Sequence, residues 1–438
     1  MKKIVLIAVM AAALSGGCHI GQNYTVGGTL TGLSGSGLVL QDNSGDSLSL
    51  GANGAFAFSS GVGNGDAYSV TVATQPSGPA QTCSVHNGSG TIDNADITTV
   101  IVVCTQPGRF AYVADQLSNE ISAYAVDSAT GALTPIAGSP FAATGTTPVA
   151  VAVDPNGQFL YVANNGSNDI SVYAIGATGA LTPSGVPVAA GNAPVAVSVD
   201  PSDNFLYVAN LADGSVSAFA IDGSSGMLTE ITGSPYTVGT EPSALKTDPG
   251  GNFLYVTNFT DASVSVLSID SATGALSGIA GSPFGAGAGA ISIAIDPAGT
   301  FAYVANETAH TISAYSINSA TGALTVVSGS PFATGSSPES LVVDPAGQFL
   351  YAANVTAGND VAAYAITPSS GALTLAGSPA GAGAFPIGIA IDPSGLFVYT
   401  ANDQSDDISA YSVHAGALAP VGGAPFAAAS GPRSIAID

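Results

Sequence analysis

A segment of about 48 residues occurs seven times between Phe110 and the end of the chain. Its clearest copies contain Asp-Pro-x-Gly-x-Phe-Leu-Tyr-Val-x-Asn, then an alternating run, then Gly-Ala-Leu and Ser-Pro-Phe. A unit of this size cannot bury a core alone, so repeats of this period pack against their neighbours. The Asp-Pro pairs begin at Asp154, Asp200, Asp248, Asp296, Asp344 and Asp392, and the last residue, Asp438, has the same phase.

The two ends of the repeat array complement each other. The first copy, Phe110 to Asp115, lacks the strand that precedes every other copy, whereas Arg433 to Asp438 is that strand with nothing after it. A C-terminal strand that completes the first unit closes a ring, which removes the exposed sheet edges of an open array. The sequence therefore predicts an all-β chain whose residues 107–438 form a seven-bladed β-propeller with four antiparallel strands per blade.

The local patterns within one copy predict strands and tight turns. In the second copy, residues 159–163 are β-branched and aromatic, and residues 169–175 alternate polar with apolar side chains, which is the period of a strand. Asp154-Pro155-Asn156-Gly157 has the residues that a type I turn favours at its first, second and fourth positions. The repeated aspartates are therefore predicted to form turns rather than to act as catalytic acids.

The N-terminal residues have the pattern of a secretory signal peptide, predicted over residues 1–17. Two lysines precede an apolar run over residues 4–14 that is too short to span a bilayer, and small residues lead to Cys18. We predict that Cys18 carries a lipid and that residues 18–23 form a lipidated linker, through which the protein meets the membrane. Because His19 rather than Asp follows the cysteine, we expect an outer-membrane lipoprotein of the bacterial cell envelope, or a secreted protein.

The segment 24–106 does not share the repeat and carries the two remaining cysteines. With Cys18 assigned to lipid, Cys83 and Cys104 form an even pair. A disulfide between them would close a loop of about 20 residues and stabilise the fold by roughly 3 kcal/mol. Short β runs separated by Gly, Asn, Asp and Ser predict a small antiparallel β-sandwich-like domain for this segment.

The charge balance excludes one class of partner. The chain has 29 acidic and 5 basic residues, for a formal net charge of −24. Nucleic-acid binding depends on many Lys and Arg side chains that neutralise phosphates, so we exclude it. The histidines lack the spacing of metal ligands, and short Asp- and Asn-rich segments are explained by turns. We therefore predict no metal and no cofactor, and we expect a monomer.

Charged residues break the repeat at two positions of the predicted inner strands. Directly after the Pro position, Glu339 and Arg433 interrupt a mostly apolar set, and two residues before the Asp, Lys246 carries the only charge. Inner strands line the channel of a propeller, so we predict a ligand pocket formed by Arg433, Glu339, Lys246 and Glu307, with His310 in the same loop as Glu307. The alternative is that Glu339 and Arg433 form a rim ion pair while Lys246 extends to solvent.

The repeat core resembles a named family. Residues 255–258 spell Tyr-Val-Thr-Asn, the motif of YVTN-type propeller repeats, and the phrase over residues 338–354 is similar to the β-propeller lactonase family, which includes 6-phosphogluconolactonase-like enzymes. The resemblance covers residues 109–438 and implies the propeller fold. It also implies functional residues: a Pro-Arg-His at the start of an inner strand and a Glu just after the Tyr-Val-x-Asn strand.

The family's functional pattern is only partly present. Pro432-Arg433 matches, but Ser434 replaces the His, and Glu307 matches the acid. The incomplete pattern favours a lipid-anchored binding or scaffolding module for a saccharide, lactone or protein ligand. The alternative is an extracytoplasmic lactonase in which the resemblance implies Glu307 and Arg433 as catalytic residues. In that case the guanidinium would polarise the lactone carbonyl while the carboxylate directs water.

Overall fold

The computed structural model describes residues 23–31, 33, 36–43, 45–76, 82–105, 109–356 and 358–438. These residues form strands, turns and loops without a helix, so none of them provides a helix able to cross a membrane. The predicted signal peptide over residues 1–17 and the predicted lipid site Cys18 lie outside the described residues. The chain divides into two compact units, one ending at residue 107 and the other beginning at residue 108.

The first unit contains two four-stranded sheets on a common core. One sheet has the order Gly54–Ala57, Val26–Thr31, Ile97–Thr105 and Thr82–His86, and the other the order Asp46–Leu50, Leu38–Asp42, Ala67–Thr74 and Ser89–Thr91. A short pair, Asn23–Tyr24 with Val62–Gly63, completes the unit. Side chains from both sheets, including Leu30, Leu40 and Val102, meet in one buried cluster. The unit is therefore a small β-sandwich.

Two details of the sandwich bear on the sequence predictions. Cys83 and Cys104 face each other across antiparallel strands and form the predicted disulfide. The prediction of a wholly antiparallel sandwich is wrong, because Val26–Thr31 and Ile97–Thr105 run parallel. Parallel neighbours need a long connection, and the strands between these two segments provide it.

The second unit consists of seven sheets, named here blades 1 to 7 in the order of their Tyr-Val-x-Asn strands, with strand A innermost and strand D outermost. In blade order, the A strands are Pro432–Ile437, Pro148–Val153, Pro194–Val199, Pro242–Thr247, Ala290–Ile295, Ser337–Val343 and Pro386–Ile391. The B strands are Arg109–Asp115, Phe159–Asn164, Phe205–Asn210, Phe253–Asn258, Phe301–Asn306, Phe349–Val355 and Phe397–Asn402. The C strands are Glu120–Val126, Asp169–Ile175, Ser215–Ile221, Ser263–Ile269, Thr311–Ile317, Asp360–Ile366 and Asp407–His414.

Strand D is broken into two short pieces in every blade, which the repeat pattern did not predict. The pieces are Leu133–Pro135 with Phe141–Ala142, Leu181–Pro183 with Val188–Ala189, Leu228–Glu230 with Tyr236–Thr237, Leu276–Gly278 with Phe284–Gly285, Leu324–Val326 with Phe332–Ala333, Leu373–Leu375 with Ala380–Gly381, and Ala417–Pro420 with Phe426–Ala427. In blade 1 the break contains Ser139-Pro140, and proline has no N–H for the ladder. The Ser139 hydroxyl instead accepts the amide of Ala123 on strand C, at 2.8 Å.

The ring closes in the predicted way. Strand A of blade 1, which is C-terminal, pairs antiparallel with strand B of the same blade. The Asp438 carboxylate accepts the amide of Phe110, as Asp154 accepts the amide of Phe159 in blade 2. Blade 7 also bonds to blade 1, because the hydroxyl of Tyr399 donates to the carbonyl of Gly131 at 2.9 Å. The seven-bladed, closed propeller is therefore confirmed.

The Asp-Pro pairs form the A–B turns, as predicted. In blade 2 the amide of Gly157 donates to the carbonyl of Asp154 at 3.0 Å. The Asp154 carboxylate accepts the amides of Gln158 and Phe159, each at 2.6 Å. The turn aspartates of blades 3 to 7 accept the equivalent pairs of amides. These carboxylates therefore have a structural role.

Blade 1 departs from the other blades at the end of strand B. Asp115 is fully buried at the position where the other blades have Asn, and the equivalent Asn164 donates its amide to Ser171 Oγ at 2.7 Å. One Asp115 oxygen accepts the amide of Ser122 at 2.8 Å, and the other has no partner among the described residues. Burial is the main cause that raises the pKa of Asp115 to about 7. The folded protein therefore carries an ionisable group in a position built for an amide.

We expect the substitution Asp115→Asn to stabilise the protein at high pH. The raised pKa means that Asp115 contributes stability fully below its ordinary pKa of 3.8 and loses it as the pH rises through about 7. The free energy of unfolding should therefore rise by about 2 kcal/mol at pH 8 and change little at pH 4. Urea unfolding at both pH values measures this. The reciprocal control, Asn210→Asp in blade 3, should destabilise mainly at pH 8; an equal gain at both pH values for Asp115→Asn would contradict the explanation.

Candidate functional site

The propeller encloses an axial channel with two lobes, of about 420 Å³ and about 660 Å³. The first lobe is lined by all seven residues that directly follow the Pro position: Val149, Val195, Ser243, Ile291, Glu339, Ile387 and Arg433. The second is lined by all seven residues two before the turn Asp: Ala152, Ser198, Lys246, Ala294, Val342, Ala390 and Ala436. Both lobes share a wall residue from every blade, so they meet end to end. These shared residues are Val151, Val197, Ala244, Ser292, Ser340, Ile389 and Ile435.

The first lobe brings together two of the predicted site residues, Glu339 from blade 6 and Arg433 from blade 1. Arg433 is exposed, and its guanidinium donates to Gln116 Oε1 at 2.9 Å. The ion pair found among the described residues joins Arg109 to Asp392. Glu339 and Arg433 do not form an ion pair with each other. The alternative prediction of a rim ion pair between Glu339 and Arg433 is therefore wrong. Both side chains remain available to a ligand.

The pKa of Glu339 depends on charged residues of two other blades, Glu307 of blade 5 and Arg433 of blade 1. Burial, as the largest cause, and the charge of Glu307 raise it, the charge of Arg433 lowers it, and together they bring it to about 7. Glu307 itself is half-buried at the end of strand B of blade 5, where its amide donates to the carbonyl of Gly289 at 2.8 Å. Glu307 is not among the residues that line the first lobe. Its negative charge raises the pKa of Glu339, which does line that lobe.

His310 lies in the same loop as Glu307 but belongs to a separate contact. Its side chain is exposed, its amide donates to the carbonyl of Glu307 at 3.3 Å, and its Nδ1 lies 3.0 Å from Ser337 Oγ. Ser337 is buried and begins strand A of blade 6, two residues before Glu339. His310 does not line the first lobe. Its contact joins the B–C loop of blade 5 to the strand that carries Glu339.

Lys246 lies apart from the other candidates. It lines the second lobe, whereas Arg433 and Glu339 line the first. The prediction that Lys246 shares one pocket with Arg433 is therefore wrong. The reason is depth along the channel: in blade 4, Ser243 occupies the first ring and Lys246 follows three residues later, which is about 10 Å along a strand.

Sequence reasoning missed several polar residues that line the first lobe: Gln116, Asn165, Ser243, Ser292 and Ser340. Gln116 and Asn165 directly follow strand B of their blades, as Glu307 does. A comparison of that repeat position across all blades would have found these two residues. Among the described residues there is no group of three His, Cys, Asp or Glu side chains arranged to hold a metal ion.

Comparison with protein families decides the class of this propeller. Residues 101–245 and 245–429 match the family model described as lactonase, seven-bladed beta-propeller. The chain belongs to this lactonase family. Comparison with curated protein sequences finds no match.

Solved structures share the fold of this lactonase-family chain. A candidate 6-phosphogluconolactonase from Bacteroides uniformis is 20% identical, with a TM-score of 0.67, and the match covers 76% of this chain and 100% of the other. A periplasmic gluconolactonase, PpgL, from Pseudomonas aeruginosa is 20% identical, with a TM-score of 0.64, 75% of this chain covered and 98% of the other. A protein from Lactobacillus plantarum is 22% identical, with a TM-score of 0.63, 76% of this chain covered and 99% of the other. At these identities the likeness shows the fold.

This lactonase-family chain has a serine, Ser434, at the position where the family resemblance implied a histidine. The hydroxyl of Ser434 accepts the amide of Val151 at 3.3 Å. Ser434 lies on strand A of blade 1 and Val151 on strand A of blade 2. The serine therefore joins two neighbouring inner strands, and the charged groups of the first lobe are Glu339 and Arg433.

Proposed function

We propose that the protein hydrolyses a sugar lactone in the first lobe. The observation that carries the proposal is the pairing, in one lobe of a lactonase-family propeller, of a guanidinium with a carboxyl group whose pKa is close to neutral. A general base works best when its pKa lies near the operating pH. The structurally similar Pseudomonas aeruginosa protein is a periplasmic gluconolactonase, which supports the same substrate class.

The proposed reaction uses Glu339 as the base and Arg433 as the electrophile. Arg433 donates to the lactone carbonyl oxygen and stabilises the negative charge that develops there. The Glu339 carboxylate takes a proton from a water molecule, whose oxygen attacks the carbonyl carbon. The ring C–O bond then breaks, and Glu339 returns the proton to the ring oxygen, which leaves as a hydroxyl group. Glu307, which the family resemblance implied as the carboxylate that directs water, is assigned the role of raising the pKa of Glu339.

The first lobe favours a neutral lactone over a phosphorylated one. Arg433 is the one cationic side chain among the residues that line it, and Lys246 lies in the other lobe. If Arg433 binds the carbonyl, no second cation remains for a phosphate. The test is the initial rate with δ-gluconolactone and with 6-phosphogluconolactone, after subtraction of spontaneous hydrolysis. We expect the neutral lactone to be preferred, and absence of turnover with any aldonolactone would refute the proposed function.

A binding module without turnover is the second candidate. Ser434 supports it, because a serine bonded between two inner strands cannot replace a histidine as a proton carrier at neutral pH. Under this alternative, δ-gluconolactone or the free aldonic acid binds to the wild-type protein and is not converted. Calorimetric titration beside the rate assay separates the two functions.

We further propose that the protein acts in the bacterial cell envelope through a lipid on Cys18. The support is the sequence pattern of residues 1–18, in which an apolar run and small residues precede the cysteine. We expect cells fed a labelled fatty acid to transfer the label to the full chain and not to a Cys18→Ser variant. Equal label in both proteins would refute the anchor.

A further inference from the structure

We propose that the second lobe of the channel binds a small monocarboxylate with an apolar body, whose carboxylate pairs with Lys246. The site is separate from the proposed lactone site, because Lys246 lines the lobe that contains neither Glu339 nor Arg433. The inference therefore stands whether or not the first lobe hydrolyses lactones.

The walls of the second lobe are mostly apolar. Valine, isoleucine, leucine and alanine side chains of all seven A strands line it, together with three turn prolines. The polar side chains among its lining residues are Lys246 and four hydroxyls, those of Ser198, Thr247, Ser292 and Ser340, and none of these described lining residues carries a carboxylate. Apolar walls with few polar groups are typical of small-molecule sites.

Lys246 has no protein partner in this lobe. The lysine and arginine side chains between residues 23 and 438 are Arg109, Lys246 and Arg433. Arg109 pairs with Asp392 and Arg433 bonds Gln116, whereas Lys246 forms no hydrogen bond or ion pair with the described residues. Its side chain is open to water within the channel, yet the surrounding strands desolvate the ammonium group and lower its pKa.

The ammonium group of Lys246 is solvated by the water of the channel, and no side chain that lines this lobe supplies a counter-charge. The other six blades have Ala, Ser or Val at this position, so the ring itself does not require a lysine. A carboxylate would supply the missing charge and accept hydrogen bonds from the ammonium group.

The charge and walls of the lobe select the class of ligand. One lysine matches one negative charge, so a phosphate dianion would keep an excess charge in an apolar lobe. A neutral molecule would leave the lysine unpaired. The volume of about 660 Å³ leaves room for an apolar body beyond the carboxylate. A monocarboxylate with an alkyl or aromatic body satisfies all three conditions.

The test is calorimetric titration of the full chain with hexanoate, hexanamide and inorganic phosphate. We expect hexanoate to bind about tenfold or more tightly than either of the others. Lys246→Met, whose side chain has a similar length and no charge, should lose about tenfold or more in hexanoate affinity, and Lys246→Arg should retain most of it. Circular dichroism establishes that both variants are folded.

Three results would each overturn the proposal. Equal affinity for hexanoate and hexanamide would show that charge plays no part. Equal affinity for phosphate would show an unselective anion site. Undiminished hexanoate binding by Lys246→Met would place the ligand elsewhere.

Discussion

Deletion of residues 432–438 should open the propeller and destabilise it by about 5 kcal/mol or more. The deleted segment is strand A of blade 1, which pairs with strand B at five registered positions. Ile435 is buried and Ile437 half-buried in the core between blades 1 and 7. Each isoleucine contributes about 1.5–3 kcal/mol when fully buried. The loss is comparable to the whole stability of a typical domain.

Thermal unfolding followed by circular dichroism measures the effect of the deletion. Two substitutions on the same strand give a matched comparison: Ile435→Asp should lower Tm strongly, and Arg433→Ala should leave it nearly unchanged, because Arg433 is exposed. A synthetic peptide with the sequence of residues 432–438 should restore part of the lost stability, and a scrambled peptide should not. A truncated protein with the Tm of the full chain would contradict closure by this strand.

The repeat made the fold predictable because the decisive information is local. Strand period, the Asp-Pro turn and the phase of the first and last copies all lie within short segments, and together they specify blade number and closure. The broken strand D was not predicted; in blades 1, 3, 4 and 5 a serine hydroxyl at the break accepts an amide of strand C. That contact requires the three-dimensional pairing of the strands.

The sequence predicted which residues line the channel and did not predict their depth along its axis. A repeat position corresponds to a ring around the channel, so comparing copies identified Glu339, Arg433 and Lys246 as channel residues. Depth along the axis was not apparent from that comparison, and Lys246 was therefore grouped with the wrong lobe. The bond between Arg433 and Gln116 joins residues 317 apart in sequence. No local pattern indicates such a contact, because it exists only once the ring has closed.

Glu339→Gln should reduce kcat for δ-gluconolactone by about 10²–10⁴-fold, the usual contribution of a general base. Glutamine keeps the shape of the side chain and cannot take the proton from water. In the wild-type protein the rate should rise with pH through about 7, because the folded-state pKa of Glu339 is about 7 and the ionised carboxylate is the active form. The variant should lose this rise, which a purely structural role of Glu339 would not predict.

The pH–rate profiles of two further variants test how the charges of the first lobe are coupled. Glu307→Gln removes a negative charge that raises the pKa of Glu339, so the midpoint of the profile should move to lower pH. Arg433→Ala removes a positive charge that lowers the same pKa, so any residual activity should have its midpoint at higher pH. Opposite displacements by two residues from different blades are the result expected if Glu339 is the titrating base. Unchanged midpoints in both variants, or full activity of Glu339→Gln, would remove Glu339 from the reaction and leave the first lobe as a binding site.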